Sequence, residues 1–239
     1  LIYLIPFAII VGQAPLNLLS SAVSIIFLIL SFKKKIYNEY KNYFIFLYFL
    51  IFFIIINLTF SINPYVSAQS SFSLIRYYFF FLAILYSLSN IDNFRLIFTR
   101  MLFVAVLFVI IDSYIQYFFN KDIFGYPSLN SRLTGPFGSE KVVGAYISKL
   151  IFLSFSFLII KKINIRYICL IAIIALILII LSNERSSSIM FATSMLLFLI
   201  FCQVRPLFKI TVLSFVLMFM FLLLNYNTQL KERFINEPA

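Results

Sequence analysis

One polar stretch interrupts an otherwise apolar chain, and the rest of the sequence is organised around it. Residues 130–141 read NSRLTGPFGSEK, and residues 142–149 continue as VVGAYISK. The stretch holds Gly135 and Gly138, two of the five glycines in the chain, together with one acid and two bases. Long apolar runs lie on both sides, and they predict membrane helices that hold this loop at one face of a bilayer.

The composition excludes a water-soluble domain. Of the 239 residues, 63% are hydrophobic and 11% are charged, whereas soluble domains carry about 25% charged residues. Repeated apolar runs of about 18 residues predict an all-α, polytopic transmembrane helical bundle, because a transmembrane barrel shows short alternating segments instead. The net charge of +11 lies mostly in short loops between the runs, so no nucleic-acid partner is expected.

Eight full spans and a partial first one are predicted, all within a single membrane domain covering residues 1–239. The chain opens on Leu1 rather than Met, so we expect a truncated fragment, with residues 227–239 beginning a further periplasmic segment. Residues 61–71 and 90–100 are predicted to be polar loops. The predicted partial span is residues 1–11, and the full spans are residues 16–32, 43–60, 72–88, 101–119, 141–160, 167–181, 186–204 and 210–225.

The distribution of lysine and arginine predicts the orientation of these spans. Short cytoplasmic loops are enriched in basic residues, and one alternate set of loops carries most of them: Lys33, Lys34, Lys35, Lys41, Arg95, Arg100, Lys161, Lys162, Arg166, Arg205 and Lys209. The other set has fewer bases, which are Lys121, Arg132, Lys141, Arg185, Lys231 and Arg233. Residues 120–141 and 183–188 are therefore predicted to be outer, periplasmic loops.

Two classes of chemistry are excluded by residue type. The chain contains no histidine, so histidine acid–base catalysis and histidine metal sites are ruled out within these residues. Its two cysteines, Cys169 and Cys202, both lie in apolar runs and have no disulfide or metal-binding spacing.

The opening stretch is a candidate anion site. Arg132 and Lys141 lie on the outer side, against the positive-inside bias, although a few outer bases are also ordinary in membrane proteins. Ser139 is expected to cap the following helix, with Glu140 in its first turn. Such a helix start would present free N–H groups and a positive dipole end, both of which suit phosphate.

A second candidate is the short outer turn at residues 182–188, SNERSSS. Arg185 must lie at the membrane surface there, where its planar guanidinium can bind phosphate beside hydroxyls such as Ser186. A simple turn with a snorkelling arginine accounts for the same pattern. Glu184 and Glu140 are the outer carboxylates available as a general base.

Three ionisable residues are predicted within the outer half of spans. Arg76, Asp112 and Lys149 are costly in lipid, so they are expected to face a partner or a wet cavity. Asp112 can pair with Arg76 or Lys149 as a structural tie between spans, and Gln116 lies one turn away on the same face. Alternatively, Arg76 and Lys149 contact substrate at the floor of an outward-open polar cavity.

Two elements resemble the family of O-antigen ligases and O-antigen polymerases. Residues 132–150, RLTGPFGSEKVVGAYISKL, are similar to the family's loop, which has the form Arg-x-x-Gly-x-Phe followed by a small polar run and a helix with a tyrosine. The turn SNERS at residues 182–186 is similar to the Glu-Arg-Ser turn at the start of the family's core region. Their order, spacing and outer placement also match, and the resemblance covers about residues 15–239.

The resemblance implies a GT-C-like glycosyltransferase of the bacterial inner membrane with a periplasmic active face. Its donor would be a glycan on undecaprenyl diphosphate, and its acceptor the lipid A core in a ligase or a growing glycan in a polymerase; membrane lipid is the remaining partner. No metal or other cofactor is implied, since arginines stabilise the leaving diphosphate. Arg185 matches a diphosphate-binding arginine and Arg132 a motif arginine. Expected site-lining residues are Glu140, Lys141, Glu184 and Ser186.

The sequence also departs from the family pattern. The family's further arginine and its histidine lie in a large periplasmic loop that these residues lack, and Glu140-Lys141 replaces an asparagine common in ligases. Ligase and polymerase therefore both stay open. Two other functions remain: a transporter or flippase for a lipid-linked or anionic substrate, with Arg76, Asp112 and Lys149 in its path, and a noncatalytic membrane scaffold.

Overall fold

The computed structural model describes residues 1–34, 40–128 and 132–201, together with positions 209, 211 and 214. The all-α prediction is confirmed for these residues, which contain no β-strand and only isolated bridge residues, such as the bridge between Lys121 and Pro127. Most of the span predicted at residues 210–225 and all of the outer segment predicted at residues 227–239 lie outside the described residues.

Eight α-helices and two short 3-10 turns make up the described chain. The 3-10 turns are Ile2–Leu4 and Gly135–Phe137. The α-helices, in order, are α1 (Ile5–Val11), α2 (Gln13–Lys34), α3 (Lys41–Phe60), α4 (Pro64–Asn90), α5 (Phe94–Phe119), α6 (Val143–Ile160), α7 (Ile165–Leu181) and α8 (Arg185–Phe201).

Several of these helices are suited to a membrane. Within the described residues four are long and apolar enough to cross it: Gln13–Phe32 of α2, and α4, α5 and α6 in full. Helices α7 and α8 are apolar but have 17 residues each. Large apolar side chains are exposed along the helices, including Phe46 and Phe53 of α3, as expected for surfaces that face lipid. The chain is therefore consistent with a membrane protein, and the count of eight to nine spans stays a prediction.

Two of the predicted loops are wrong. Residues 61–71 were expected to be a polar loop, but α4 already begins at Pro64. Residues 90–100 were also expected to be a loop, and α5 begins within them at Phe94. An apolar run marks the part of a helix that lipid can cover, whereas the helix itself continues through polar residues at its ends. Proline at the first helical position has the φ angle that a helix start needs.

The contacts divide the chain into two compact units, and the first is Leu1–Phe98. Helix α4 packs on α2 and α3, and α1 packs on α2. The core of this unit includes Val23 and Phe27 from α2 and Leu82 from α4. A buried polar contact also joins the same helices, since the Ser24 hydroxyl donates to the backbone carbonyl of Arg76 at 2.9 Å.

The second unit is Thr99–Ala239 and contains both predicted outer loops. Helices α6, α7 and α8 pack on one another around side chains that exclude solvent, including Ile147, Phe155 and Ile179. Helix α5 contacts this group as well, because the Tyr114 hydroxyl donates to the carbonyl of Ile174 in α7 at 2.7 Å. Short connections make neighbouring helices antiparallel, so the end of α7 and the start of α8 lie beside the start of α6.

Candidate functional site

A buried glutamine of α5 holds the loop that follows this helix. Gln116 is fully buried, and its amide oxygen accepts hydrogen bonds from the backbone N–H groups of Thr134 at 2.9 Å and Gly135 at 2.8 Å. Its amide nitrogen donates to the Thr134 hydroxyl at 2.9 Å and to the carbonyl of Tyr126 at 3.2 Å. Both acceptor sites and both N–H donors of this side-chain amide are thereby directed to the loop.

The small size of the residue at position 135 has a packing reason. Gly135 has a φ of +52°, and an added Cβ there would lie 2.5 Å from the Ser113 hydroxyl oxygen and 3.1 Å from Val143. Leu133, Thr134 and Pro136 are buried around it. The loop therefore folds back into the protein, which is where non-helical backbone at membrane depth is tolerated. The sequence predicted a surface loop, whereas residues 133–136 are buried.

The turn before α8 forms the second part of the site. Both carboxylate oxygens of Glu184 accept hydrogen bonds from the first turn of α6, one from Gly144 N–H at 2.8 Å and the other from Ala145 N–H at 2.9 Å. The Ser187 hydroxyl donates to the same carboxylate at 2.7 Å, and Ser188 N–H bonds the Glu184 carbonyl at 3.1 Å. One residue thus caps α6 with its side chain and begins α8 with its backbone.

This arrangement corrects the predicted cap of α6. Ser139 and Glu140 are exposed and precede the helix, which begins at Val143 after an N-cap residue, Val142, with no side-chain cap hydrogen bond of its own. The carboxylate of Glu184 fills that role from another helix. The N–H groups expected to be free for phosphate at this helix start are therefore engaged by the protein itself, because a carboxylate suits the positive end of a helix.

The two sequence motifs meet at the start of α6. On one side, the Phe137 ring packs against Tyr146 with a centroid distance of 5.3 Å. On the other side, a Cβ added to Gly144 would lie 3.0 Å from the Glu184 carboxylate and from the Ser182 hydroxyl. The loop motif and the Glu184-Arg185 turn are thus brought to one end of the second unit by contacts with the same helix.

The predicted site residues of the second unit differ in exposure. Arg132, Lys141 and Arg185 are half-buried, and Arg185 is the first residue of α8. Glu140 and Ser186 are exposed. Lys141 lies two residues before α6 and Arg185 begins α8, while Arg132 directly precedes the buried residue Leu133.

The residues predicted within spans have neutral partners. Asp112 accepts a hydrogen bond from Ile123 N–H at 2.8 Å rather than pairing with Lys149, which is exposed on α6. Arg76 belongs to the first unit, where its guanidinium donates to Asn17 Oδ1 at 3.0 Å and to the Ser21 hydroxyl at 3.3 Å. A backbone N–H group is thus the partner of Asp112, and neutral side-chain oxygens are the partners of Arg76.

Comparison with known proteins returned nothing. No family model, curated protein or solved structure matches this chain. The proposed function therefore depends on the geometry of the site and on the sequence motifs.

Sequence reasoning missed several residues that build the site. Thr134, Gly144 and Ser187 make the contacts described above, and Glu184 was expected to be a general base rather than a cap. A usable signal was present in the composition: Gly135 and Gly144 are two of five glycines in a chain of bulky residues, and both lie where another chain segment approaches closely.

The contact at Gly135 gives a testable prediction. We expect Gly135→Ala to lower the free energy of unfolding by about 1–3 kcal/mol more than Gly125→Ala, because an extra methyl group must displace Ser113. Gly125 is a matched control, since its φ is also positive at +87° but nothing lies within 4 Å of an added Cβ. Thermal unfolding in detergent measures both. Equal losses would show that the loop does not pack on α5 as described.

Proposed function

We propose that this chain is the membrane core of a bacterial inner-membrane glycosyltransferase similar to O-antigen ligases and polymerases. It would transfer a glycan from undecaprenyl diphosphate, at the periplasmic face, to the lipid A core or to a growing O-antigen chain. The observation that carries the proposal is the meeting of the loop motif and the Glu184-Arg185 turn at the start of α6. A GT-C-like bundle of eight to nine spans is part of the same proposal.

The charges at this junction suit the leaving group of such a reaction. Cleavage of a glycosyl diphosphate bond leaves additional negative charge on the departing diphosphate. Arg132, Lys141 and Arg185 belong to the two motifs and are half-buried, and partial burial strengthens the attraction of a cation for phosphate. Arginine also offers a planar fork of donors that fits phosphate oxygens. In the proposal, Arg185 and Arg132 hold the diphosphate, and no metal ion takes part in the transfer.

The Glu184 cap supports the proposed role of its neighbour. Arg185 follows a residue whose carboxylate is bound by two backbone N–H groups and one hydroxyl. The backbone of Arg185 is therefore held at a defined place, which pre-organises its guanidinium for a developing charge. With Glu184 engaged in this way, Glu140 is the exposed carboxylate left to accept a proton from the acceptor hydroxyl.

Replacement of Arg185 tests the proposal. In the full-length protein we expect Arg185→Ala to reduce transfer of glycan from a lipid-linked donor by about 100- to 1,000-fold, because one preorganised donor to the transition state is lost. Purified protein, undecaprenyl-diphosphate-linked glycan and acceptor would be used in vitro. The amount of polysaccharide at the cell surface would be the second readout.

A matched variant separates chemistry from folding. Arg166→Ala removes an exposed arginine near the start of α7, whereas Arg185 follows the end of the same helix. The Arg166 variant should leave transfer unchanged. Both proteins should accumulate to similar amounts in membranes. Full activity of the Arg185 variant would contradict the assignment, and uptake of the lipid-linked substrate without transfer would favour the flippase alternative.

A further inference from the structure

A positive charge lies within helix α4 of the first unit, and this unit offers no nearby carboxylate to balance it. Arg76 belongs to α4, which is long and apolar enough to cross a membrane. Among the described residues of the first unit, Asp92 is the one carboxylate, and it lies beyond the end of α4. The rise from Arg76 to Asn90, where α4 ends, is about 21 Å. Because a charge within a span normally has a counter-ion or a wet cavity, we expect Arg76 to bind an anion from outside this unit.

Neutral side chains hold the guanidinium of Arg76 in one place. Its Nη2 donates to Asn17 Oδ1 at 3.0 Å, and its Nη1 donates to the Ser21 hydroxyl at 3.3 Å. The guanidinium carbon lies 4.7 Å from the centroid of the Tyr77 ring, and the Tyr77 hydroxyl donates to Asn17 Oδ1 at 3.4 Å. These contacts order the arginine without neutralising its charge, so little rotamer freedom is left to lose when an anion binds.

The guanidinium retains donors for a ligand. Arginine has five N–H groups, and the bonds to α2 use one on each terminal nitrogen. The Nε–H is buried and has no hydrogen-bond partner in the part of the chain that the structure describes. Arg76 as a whole is only half-buried, so part of the side chain is open to a ligand. The planar arrangement of these donors fits phosphate oxygens, whose charge would also balance that of the arginine.

The guanidinium also lies toward one membrane face. Helices α2 and α4 run parallel, because Ser24 contacts Arg76 and, further along both helices, Phe27 contacts Tyr86. Helical side chains point back toward the helix start, so the Arg76 guanidinium reaches Asn17, about one turn after α2 begins. Lipid phosphates lie at the ends of spans rather than in the middle, and the loop charges predict that this end faces outward.

The surface beside the arginine suits the apolar part of a lipid. Leu74, Tyr77 and Phe81 lie along one face of α4 at helical spacing, and they are between 42% and 50% exposed. The Tyr77 ring that contacts the guanidinium belongs to this face. A lipid whose chains cover the face would therefore hold its headgroup near Arg76.

We propose that Arg76, together with Asn17 and Tyr77, binds the phosphate of an anionic phospholipid. The group recognised is a phosphate oxyanion, and a phospholipid is its source because the chains can occupy the exposed face of α4. In this site the phosphate supplies the counter-ion that the first unit lacks. The inference is independent of the proposed function, since all three residues belong to the first unit and both motifs belong to the second.

The lipid dependence of unfolding tests this proposal. The full chain would be stripped of lipid in a neutral detergent and then given phosphatidylglycerol, phosphatidylcholine or inorganic phosphate, and native mass spectrometry would count the retained lipid. We expect phosphatidylglycerol to raise the unfolding temperature by an amount that grows with its concentration, and the other two to act much less. Arg76→Gln should weaken phosphatidylglycerol binding by at least about tenfold, because charge-assisted hydrogen bonds are lost. Arg95→Gln, which removes an exposed arginine of the same unit, should leave this binding unchanged.

A second variant keeps the test decisive if Arg76→Gln fails to fold. Asn17→Asp has nearly the same shape as the wild type and places a carboxylate oxygen about 3.0 Å from Arg76 Nη2, where it would replace the lipid as counter-ion. We expect this variant to lose most of its stabilisation by phosphatidylglycerol. An unfolding temperature of the wild type that does not respond to phosphatidylglycerol, or a response that is unchanged in Asn17→Asp, would overturn the site. Equal stabilisation by inorganic phosphate would overturn the lipid as its ligand.

Discussion

Gln116→Leu is expected to release the 120–137 loop from α5. The change leaves Thr134 N–H, Gly135 N–H and the Thr134 hydroxyl without their partner, and Thr134 is fully buried. Each unsatisfied buried group costs roughly 1–3 kcal/mol, so a loss of about 3 kcal/mol or more in the free energy of unfolding is expected. Leucine has nearly the same volume as glutamine, so the packing of α5 itself should change little.

Hydrogen exchange distinguishes this local release from general destabilisation. Amides of Thr134 and Gly135 should exchange much faster in Gln116→Leu, while those in the middle of α7 should keep their protection. Gln69→Leu is a matched control, since Gln69 is exposed on α4, and it should change stability by no more than about 0.5 kcal/mol. Retained protection of Thr134 and Gly135 in Gln116→Leu would show that Gln116 does not hold the loop.

Glu184→Ala is expected to separate α8 from the start of α6. It removes the acceptor of Gly144 N–H, Ala145 N–H and the Ser187 hydroxyl. Hydrogen bonds to a charged group contribute roughly 1.5–3 kcal/mol each, so the loss of three should lower the free energy of unfolding by about 4.5 kcal/mol or more. Thermal unfolding in detergent measures this loss. Faster amide hydrogen exchange at the start of α6 should accompany it.

Two further variants identify the source of that loss. Ser187→Ala removes one of the three hydrogen bonds and should cost about 1.5–3 kcal/mol. Glu140→Ala, which removes an exposed carboxylate, should be near neutral. If Glu184→Ala is as stable as Glu140→Ala, the cap is not formed. If it is stable but inactive in transfer, the general-base role expected from the sequence is restored.

The sequence predicted the helices well because lipid imposes one dominant constraint. Long apolar runs must form helices in a membrane, so α2, α5 and α6 could be located from composition alone. The errors lie at helix ends: α4 extends back to Pro64 and α5 to Phe94, through residues that are polar yet helical. Hydropathy reports which residues tolerate lipid, and helical hydrogen bonding continues beyond them.

The site was predicted in part. The sequence predicted that the two motifs converge, and Phe137 and Glu184 both contact residues at the start of α6. Their shared function stays a prediction. The sequence did not predict the roles of the individual residues within these motifs. Serine is a favoured N-cap residue and Ser139 precedes an apolar run, but α6 begins only at Val143. The side chain that caps it is that of Glu184, which is 40 residues away from Gly144 in sequence. Local pattern cannot reveal a partner at that separation.

By itself, the sequence determined the class of this protein: an all-helical chain rich in apolar spans, with two polar turns that carry arginine. That much follows from residue composition and periodicity, which act locally. Tertiary structure alone decided that the 120–137 loop folds back onto Gln116, that Glu184 caps another helix, and that Asn17 of α2 binds Arg76 of α4. Those outcomes depend on how buried polar groups far apart in the sequence satisfy one another once the helices pack.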